Sequence, residues 1–176
     1  RAFPIAGSPR FVAVGDLDGD GTPDAVTANT NGSTLTLLRG NPDGTFASPV
    51  TLETGIHPGW DDIADVNGDH LLDIVAVNDS SKTISVFLGH GDGTFEPRAD
   101  YPAGPRPAGA VLFDFNSDHR LDVAVADDSN ATVSVLLNQG AGTFAPRVAY
   151  ATGVFPVAVA SGLLDSDAYA DLVVAN

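Results

Sequence analysis

The feature that most constrains this chain is an internal repeat of 49 residues. Four aspartates and four prolines recur at that spacing, at Asp24, Asp73, Asp122 and Asp171, and at Pro9, Pro58, Pro107 and Pro156. The triplet GTF also returns at 44–46, 93–95 and 142–144, so no insertion interrupts the period across three units. A regular period of this length is typical of a tandem array in which each unit buries its apolar surface against the next.

Within one unit the pattern is that of short β-strands. The first unit contains four runs rich in Val, Leu and Thr, separated by Gly, Asn, Asp and Pro, with the sequences RFVAVGD, DAVTAN, STLTLLRG and ASPVTLET. Four strands in 49 residues predict an all-β fold in which each unit is one β-propeller blade, a sheet of four antiparallel strands. An open β-solenoid is the structural alternative.

The period divides the chain into about 3.6 repeats of one propeller segment. We expect blades at 7–55, 56–104 and 105–153, with 1–6 an outer strand of a preceding blade and 154–176 the first half of a further blade. A closed propeller has about 4 to 8 blades. The segment is therefore expected either to belong to a longer propeller, most simply one of seven blades, or to self-associate so that its open faces are covered.

An acidic segment, DLDGDGTPD at 16–24, places carboxylates at its first, third, fifth and ninth positions in a chain of net charge −15. A hard cation such as Ca²⁺ takes about 6 to 8 oxygen ligands and would offset this repulsion. The sequence VAVGDLDGDGTPDAVTAN, followed by GNPDGTF, resembles the FG-GAP or VCBS-type repeat of integrin α-subunit propellers and many bacterial secreted proteins. The resemblance covers nearly the whole chain and implies a calcium loop of the form DxDxDGxxD between the first two strands of a blade.

The resemblance and the oxygen chemistry together predict Ca²⁺ as the cofactor of three loops. Side-chain ligands come from the first, third, fifth and ninth loop positions and a backbone carbonyl from the seventh. The ligands are Asp16, Asp18, Asp20, Asp24 and the Thr22 carbonyl in the first loop; Asp65, Asn67, Asp69, Asp73 and the Leu71 carbonyl in the second; and Asp114, Asn116, Asp118, Asp122 and the Arg120 carbonyl in the third.

The loops differ in how closely they follow this motif. His70 and His119 stand where the family prefers glycine, which predicts weaker binding in the second and third loops. The fourth loop, LLDSDAYAD, keeps Asp165, Asp167 and Asp171 but has Leu in the first ligand position, so it is expected to be a weak metal site. An ordinary turn rich in Asp, Asn and Gly is the alternative for all four loops.

Departures from the repeat consensus indicate candidate ligand-binding residues. In GIHPGWDDIAD, Asp61 and Asp62 stand where the other units carry Val or Ala, and His57 and Trp60 precede them. We expect His57 and Trp60 in the loop between two blades, on the face that contributes to ligand recognition in integrin-like propellers. An aromatic ring beside carboxylates suits a sugar or a peptide. The alternative is a large side chain that fills the propeller axis.

Charge and composition narrow the function. With 8 Lys+Arg against 23 Asp+Glu, the chain would repel nucleic acid and an anionic membrane surface, and no apolar run approaches the roughly 20 residues that span a bilayer. The absence of cysteine removes thiol chemistry. Three N-glycosylation sequons, at Asn31, Asn78 and Asn130, are also explained by turn chemistry.

The sequence therefore favours a secreted or cell-surface, calcium-stabilised propeller that recognises a carbohydrate or an extracellular protein ligand. The alternative is the propeller scaffold of a secreted polysaccharide-processing enzyme, in which Asp61 and Asp62 would be the acid/base candidates. Adjacent residues on a strand point to opposite faces, which argues against their acting as a pair.

Overall fold

The structure, a computed structural model, describes residues 3, 5, 7–167 and 170–176. The secondary structure of these residues consists of β-strands, and no helix occurs among them. The strands are β1 Pro9–Gly15, β2 Asp24–Asn29, β3 Thr34–Leu38, β4 Val50–Glu53, β5 Pro58–Ala64, β6 Asp73–Asn78, β7 Thr83–Phe87, β8 Ala99–Pro102, β9 Pro107–Phe113, β10 Asp122–Asp127, β11 Thr132–Leu136, β12 Asn138–Gly140, β13 Thr143–Phe144, β14 Val148–Ala151, β15 Ala158–Gly162 and β16 Asp171–Ala175.

Each of the first three repeats forms one sheet of four antiparallel strands. The strand orders are β1-β2-β3-β4, β5-β6-β7-β8 and β9-β10-β11-β14, while β15 and β16 pair as a two-stranded sheet. The small β12-β13 hairpin of the third unit corresponds to isolated bridges between Gly40 and Phe46 and between Gly89 and Phe95 in the other two units. The predicted all-β fold, with one four-stranded antiparallel sheet per repeat, is confirmed.

The second strand of each four-stranded sheet is buried along its whole length. Every residue is buried in DAVTAN of β2, DIVAVN of β6 and DVAVAD of β10. In the second and third sheets, both faces of this strand pack against neighbouring sheets. Burial of a Val or Ile side chain contributes about 1.5–3 kcal/mol. Stacking of sheet on sheet is therefore the main source of stability for a unit that has no helix and no disulfide.

Three apolar clusters fill the spaces between successive sheets. The first lies between sheets one and two and contains Val26, Leu35, Leu37, Ile74 and Phe87. The second, between sheets two and three, contains Trp60, Val75, Ile84, Val123 and Leu136. The third, between sheet three and the β15-β16 pair, contains Ala124, Val133 and Val135 with Val159 and Val174. The second and third sheets thus each pack one face against the sheet before and the other against the sheet after.

Among the described residues, the outer faces of the first and last sheets carry large exposed apolar side chains. Val12 and Val14 on β1 are 57% and 64% exposed, and Val173 on β16 is 52% exposed. These large apolar side chains occupy repeat positions that are covered in the middle sheets. A stack of this kind presents an unpartnered sheet face at each end.

The predicted outer strand at 1–6 falls largely outside the described residues, which omit 1, 2, 4 and 6. Phe3 is described, and its ring packs edge-on against Phe46 with centroids 5.0 Å apart. Tyr101 of β8 makes the same kind of contact with Phe144 of the following unit, at 5.4 Å. Phe3 therefore occupies the place of an outer-strand aromatic, and the strand itself remains a prediction.

A buried polar contact at the end of each second strand differs in the third unit. Asn29 donates through Nδ2 to the hydroxyls of Thr34 and Thr36 at 3.2 and 2.7 Å. Asn78 donates in the same way to Thr83 and Ser85 at 3.2 and 2.8 Å. This burial makes Asn78 inaccessible as a glycosylation acceptor.

The third unit carries Asp127 at that position, and a carboxylate has no N–H to donate. Asp127 Oδ1 accepts hydrogen bonds from the Arg106 backbone N–H and the Ser129 hydroxyl. Asp127 Oδ2 and Thr132 Oγ1 are buried without a hydrogen-bond partner. An unsatisfied buried polar atom costs about 1–3 kcal/mol.

Replacement Asp127→Asn is expected to stabilise the protein by about 1–2 kcal/mol, because the new amide can donate to Thr132 while its carbonyl keeps the Oδ1 contacts. The reverse change in the second unit, Asn78→Asp, is the matched control and should destabilise. Thermal unfolding of the two variants beside the parent measures both effects. A lower melting temperature for Asp127→Asn would contradict this account.

Candidate metal centre and ligand site

The first acidic loop joins β1 to β2, and several of its backbone N–H groups donate hydrogen bonds to a single carboxylate. Asp16 Oδ1 accepts from the N–H groups of Gly19 and Asp20 at 2.8 and 3.1 Å, and Asp16 Oδ2 accepts from Gly21 at 2.9 Å. Gly19 and Gly21 have φ of +73° and +84°, a region that favours glycine. The spacing of glycines in DLDGDG therefore produces a turn that curls around Asp16.

This loop brings three carboxylates together. One oxygen each from Asp16, Asp18 and Asp24 lie within 4.8 Å of one another. Two oxygens that bind one Ca²⁺ from opposite sides at about 2.4 Å are about 4.8 Å apart, so these oxygens fit around a single cation. Burial raises the pKa of Asp18 most, and the charges of Asp24 and Asp20 raise it further. A bound cation would relieve this second, electrostatic part.

The remaining predicted ligands of this loop are placed differently. Asp20 is exposed and lies outside the group of three, and its Oδ1 accepts from the Thr22 N–H at 2.7 Å. The first loop therefore assembles three of its four predicted side-chain ligands.

In the second and third loops, the first aspartate accepts hydrogen bonds from backbone N–H groups as Asp16 does in the first loop. Asp65 accepts from the N–H groups of Gly68 and His70, and Asp114 accepts from those of Asn116, Asp118 and His119. Burial is the largest single effect on the pKa of Asp114 and raises it. The hydrogen bonds from the backbone together outweigh burial, so the pKa of Asp114 is lowered.

An asparagine in each of these loops stands in place of one carboxylate and donates a hydrogen bond to another. Asn67 Nδ2 donates to Asp69 at 2.9 Å, and Asn116 Nδ2 donates to Asp118 at 2.8 Å. Within the described part of the chain, the three-carboxylate spacing of the first loop recurs in neither of the other two. The first loop is therefore the most strongly acidic candidate.

Two further features distinguish the second and third loops from the first. His70 and His119 adopt φ of +67° and +65°, a left-handed conformation that costs an L-residue about 1–2 kcal/mol. In the third loop the Arg120 guanidinium donates to Asp118 Oδ2 at 2.6 Å. This positive charge competes with a cation for the same carboxylate, although the Arg120 carbonyl was predicted as a ligand.

The fourth loop is described only in part. Asp171 Oδ2 accepts from the Leu164 N–H at 2.8 Å, and Asp165 Oδ1 accepts from the Asp167 N–H at 2.8 Å. Residues 168 and 169 lie outside the described residues. The contacts are those of an Asp-rich turn, and weak metal binding there stays a prediction.

The predicted ligand site around Trp60 is corrected by the structure in one respect. His57 lies in the loop before β5, as predicted, and its Nδ1 is 2.8 Å from Ser80 Oγ. Trp60, however, lies within β5 and is only 8% exposed. Its ring is 5.9 Å from that of Phe11 and belongs to the cluster between sheets two and three. The loop placement of Trp60 was wrong because the strand begins two residues earlier, at Pro58.

Asp61 and Asp62 are separated by the pleat of β5. Asp62 is partly exposed, its Oδ1 accepts from the Ile63 N–H at 2.9 Å, and burial raises its pKa. Asp61 is fully buried, and neither of its oxygens has a hydrogen-bond donor in bonding geometry. Burial raises the pKa of Asp61 to about 7, opposed in part by the nearby backbone amides of Ala28 and Ala13.

Sequence reasoning missed a polar cavity that contains His57. Arg10, Thr30, Asp79, Arg106 and Asp128 also line it. The sequence did contain a signal for this cavity, because Arg10 departs from the repeat at a position where the later units carry Gly, Ala and Val.

A family comparison agrees with this geometry. The FG-GAP-like repeat matches residues 16–76, 65–125 and 114–174, so that each match begins at the first aspartate of an acidic loop. The chain belongs to the FG-GAP-like repeat family. No curated protein matches this FG-GAP-like chain at a significant level.

Solved structures share the fold of this FG-GAP-like chain. A lectin of Agrocybe aegerita that recognises non-reducing terminal N-acetylglucosamine is 25% identical, with a TM-score of 0.55, over 77% of this chain and 36% of its own. A functionally unknown protein from Desulfotomaculum acetoxidans is 18% identical, with a TM-score of 0.59, over 88% and 45%. BBS1N, solved in complex with ARL6DN, is 14% identical, with a TM-score of 0.62, over 86% and 46%. This chain thus spans less than half the length of each of these proteins.

The burial of Asp61 predicts an unusual dependence of stability on pH. Its pKa is about 7 in the folded state against an ordinary 3.8, so between these values the folded protein holds a proton that the unfolded chain releases. The contribution of Asp61 to stability should therefore be highest below about pH 4, fall by on the order of 4 kcal/mol as pH rises to about 7, and change no further above that pH.

The replacement Asp61→Ala, which restores the residue type of Ala110, should remove this contribution and stabilise the protein at pH 8. Asp62→Ala, matched to Ala160, is the control and should keep most of the decline. Denaturant unfolding between pH 4 and 8 measures the three slopes. Equal slopes for Asp61→Ala and the parent would show that the carboxylate is solvated or paired.

Proposed function

We propose that this chain is part of a calcium-stabilised, extracellular β-propeller that recognises a carbohydrate or an extracellular protein ligand. The observation that carries the proposal is the likeness to the Agrocybe aegerita lectin over 77% of the chain. Of the two ligand classes, that likeness favours a carbohydrate. The oxygen cluster in the first loop supports the calcium requirement.

Charge is the physical reason for a stabilising cation. Three bound Ca²⁺ ions add six positive charges and change the formal net charge from −15 to −9. Asp16, Asp18 and Asp24 would hold the ion of the first loop, and the ion would supply charge neutralisation at a point where the chain changes direction.

An extracellular location is consistent with the design of the loops. Loops with asparagine and with histidine in a left-handed conformation suit weak sites, and extracellular calcium modules work at about 10⁻⁴ to 10⁻³ M. In the described part of the chain, no helix has the length and apolar character needed to cross a membrane.

The alternative function, a scaffold for a polysaccharide-processing enzyme, gains no support from Asp61. That carboxylate is completely covered, and a general acid or base must come within about 3 Å of the substrate. Asp62 alone keeps partial exposure, which leaves no pair of accessible carboxylates in this segment of the strand.

The uncovered sheet faces support the proposal that this segment works within a larger assembly. We propose that further blades of the same repeat cover Val12 and Val14 at one end and Val173 at the other, which are more than half exposed here. If copies of the chain cover these faces instead, light scattering will show a dimer or larger species. A monomer of 18.0 kDa that binds no hydrophobic dye would contradict both arrangements.

Calcium should raise the melting temperature relative to EDTA. A site that is saturated at about 100 times its dissociation constant contributes roughly 2.7 kcal/mol. The variant Asp18→Asn, which gives the first loop the residue found at Asn67 and Asn116, should lose part of this gain, whereas exposed Asp43→Asn, outside the acidic loops, is the control. Identical melting curves with calcium and with EDTA would refute calcium stabilisation.

Ligand recognition is tested separately, by applying the calcium-loaded protein to a glycan array and to a depolymerisation assay with the same polysaccharides. Reproducible retention of defined glycans without cleavage is the expected result. Cleavage would support the enzyme alternative, and the absence of both retention and cleavage would contradict carbohydrate recognition.

A further inference from the structure

A cavity outside the acidic loops is built from three positions of the repeat. It has a volume of about 170 Å³ and lies where the first strands of successive sheets begin. The position just before the first strand of a unit supplies His57 and Arg106. The second residue of the first strand supplies Arg10, Gly59 and Ala108. The position just after the second strand supplies Thr30, Asp79 and Asp128. Because the same positions recur in successive units, their side chains converge although they are far apart in sequence.

A β-bulge in each first strand directs one of these positions toward the cavity. The pairing skips Arg10 between Pro9 and Phe11 in β1, Gly59 in β5 and Ala108 in β9. Bulges bend a strand and change the direction of a side chain, and they are common beside functional sites. Gly59 and Ala108 leave open space, and only the first unit places a long side chain there.

The Arg10 guanidinium extends over this space. A Cβ atom on Gly59 would lie 4.0 Å from an Arg10 terminal nitrogen. Among the described residues, the Arg10 side chain forms no hydrogen bond and no ion pair. In a chain with 8 Lys+Arg against 23 Asp+Glu, an arginine free of any carboxylate partner is available for an external anion.

Arg106 also lines the cavity, and it is held by its backbone and by one ion pair. Its terminal nitrogen is 3.3 Å from Asp128 Oδ2, its backbone N–H donates to Asp127 Oδ1, and its carbonyl accepts from the Asp128 N–H. Anchoring of this kind reduces the entropy that a side chain loses on binding. The guanidinium has further N–H donors beyond the one that faces Asp128.

Hydrogen-bond acceptors and hydroxyls complete the lining. Asp79 is held near His57 by a backbone hydrogen bond of 3.0 Å to the His57 carbonyl. The Thr30 hydroxyl donates to the Pro58 carbonyl at 3.1 Å, so its oxygen lone pairs stay available. The cavity therefore combines two guanidinium groups with carboxylate and hydroxyl acceptors.

We propose that this cavity binds a single acidic sugar of the uronic acid class. The sugar carboxylate pairs with Arg10 and Arg106, because guanidinium groups bind carboxylates through paired, charge-assisted hydrogen bonds. The sugar hydroxyls donate to Asp79 and Asp128. The two aspartates and the net charge of −15 disfavour a polyanion, and a volume of about 170 Å³ is below the roughly 300 Å³ of sites for larger ligands. This proposal rests on the proposed recognition function.

Calorimetric titration of the calcium-loaded protein with D-glucuronate, D-glucose and acetate separates the contributions. Glucuronate is expected to bind more tightly than either glucose, which lacks the carboxylate, or acetate, which lacks the ring. Arg10→Gly, which installs the residue of the second unit, should weaken glucuronate binding at least about tenfold. Arg98→Ala is the control, because Arg98 is paired with Asp100 on the outer strand β8 and should leave binding unchanged.

A second variant, Asp79→Asn, removes a proposed acceptor of the sugar hydroxyls that forms no ion pair with either arginine. It should weaken glucuronate binding while leaving that of acetate within about twofold. The proposal is overturned if glucuronate does not bind, if glucose or acetate binds as tightly as glucuronate, or if Arg10→Gly binds glucuronate as well as the parent. Retention of neutral glycans on the array with no glucuronate binding would overturn this site while leaving the proposed function intact.

Discussion

A buried carboxylate at the start of each second strand is the contact on which both the sheet and the acidic loop depend. Asp24, Asp73 and Asp122 each accept one hydrogen bond from a backbone N–H seven residues earlier and one from a backbone N–H sixteen residues later, at 2.7–2.9 Å. Each carboxylate thus joins the loop after the first strand to the segment after the third strand.

Such a carboxylate is stabilised by its two donors and destabilised by its surroundings. Burial raises the pKa of Asp73 and of Asp122, two backbone N–H groups oppose the shift in each case, and the charges of neighbouring loop carboxylates add to it. The last aspartate of DxDxDGxxD therefore has a structural role that does not require an ion. A cation bound in the loop would reduce the remaining repulsion at the same carboxylate.

The repeat made most of the fold predictable, because a fixed period with strand-type runs allows few arrangements other than stacked four-stranded sheets. The loop motif also predicted that Asp16, Asp18 and Asp24 would be near one another, but it wrongly included Asp20 in that group. Sequence reasoning failed where a side chain's environment depends on the neighbouring sheet. Trp60 is buried partly by Phe11 of the preceding sheet. The unpaired oxygen of Asp127 is recognised only once the neighbouring hydroxyl of Thr132 is seen to be unpaired as well. Arg10 required knowledge of the bulge that directs it into the cavity.

The role of the buried aspartates is tested most directly by Asp73→Asn in EDTA, where metal binding cannot contribute. The amide keeps one acceptor for an N–H group but places its own N–H₂ against the other, which leaves a buried donor unsatisfied at a cost of about 1–3 kcal/mol. Exposed Asp69→Asn, in the same loop, is the matched comparison. The account predicts a loss of at least about 1 kcal/mol in the free energy of unfolding for Asp73→Asn and little change for Asp69→Asn, and equal stability of the two variants would contradict it.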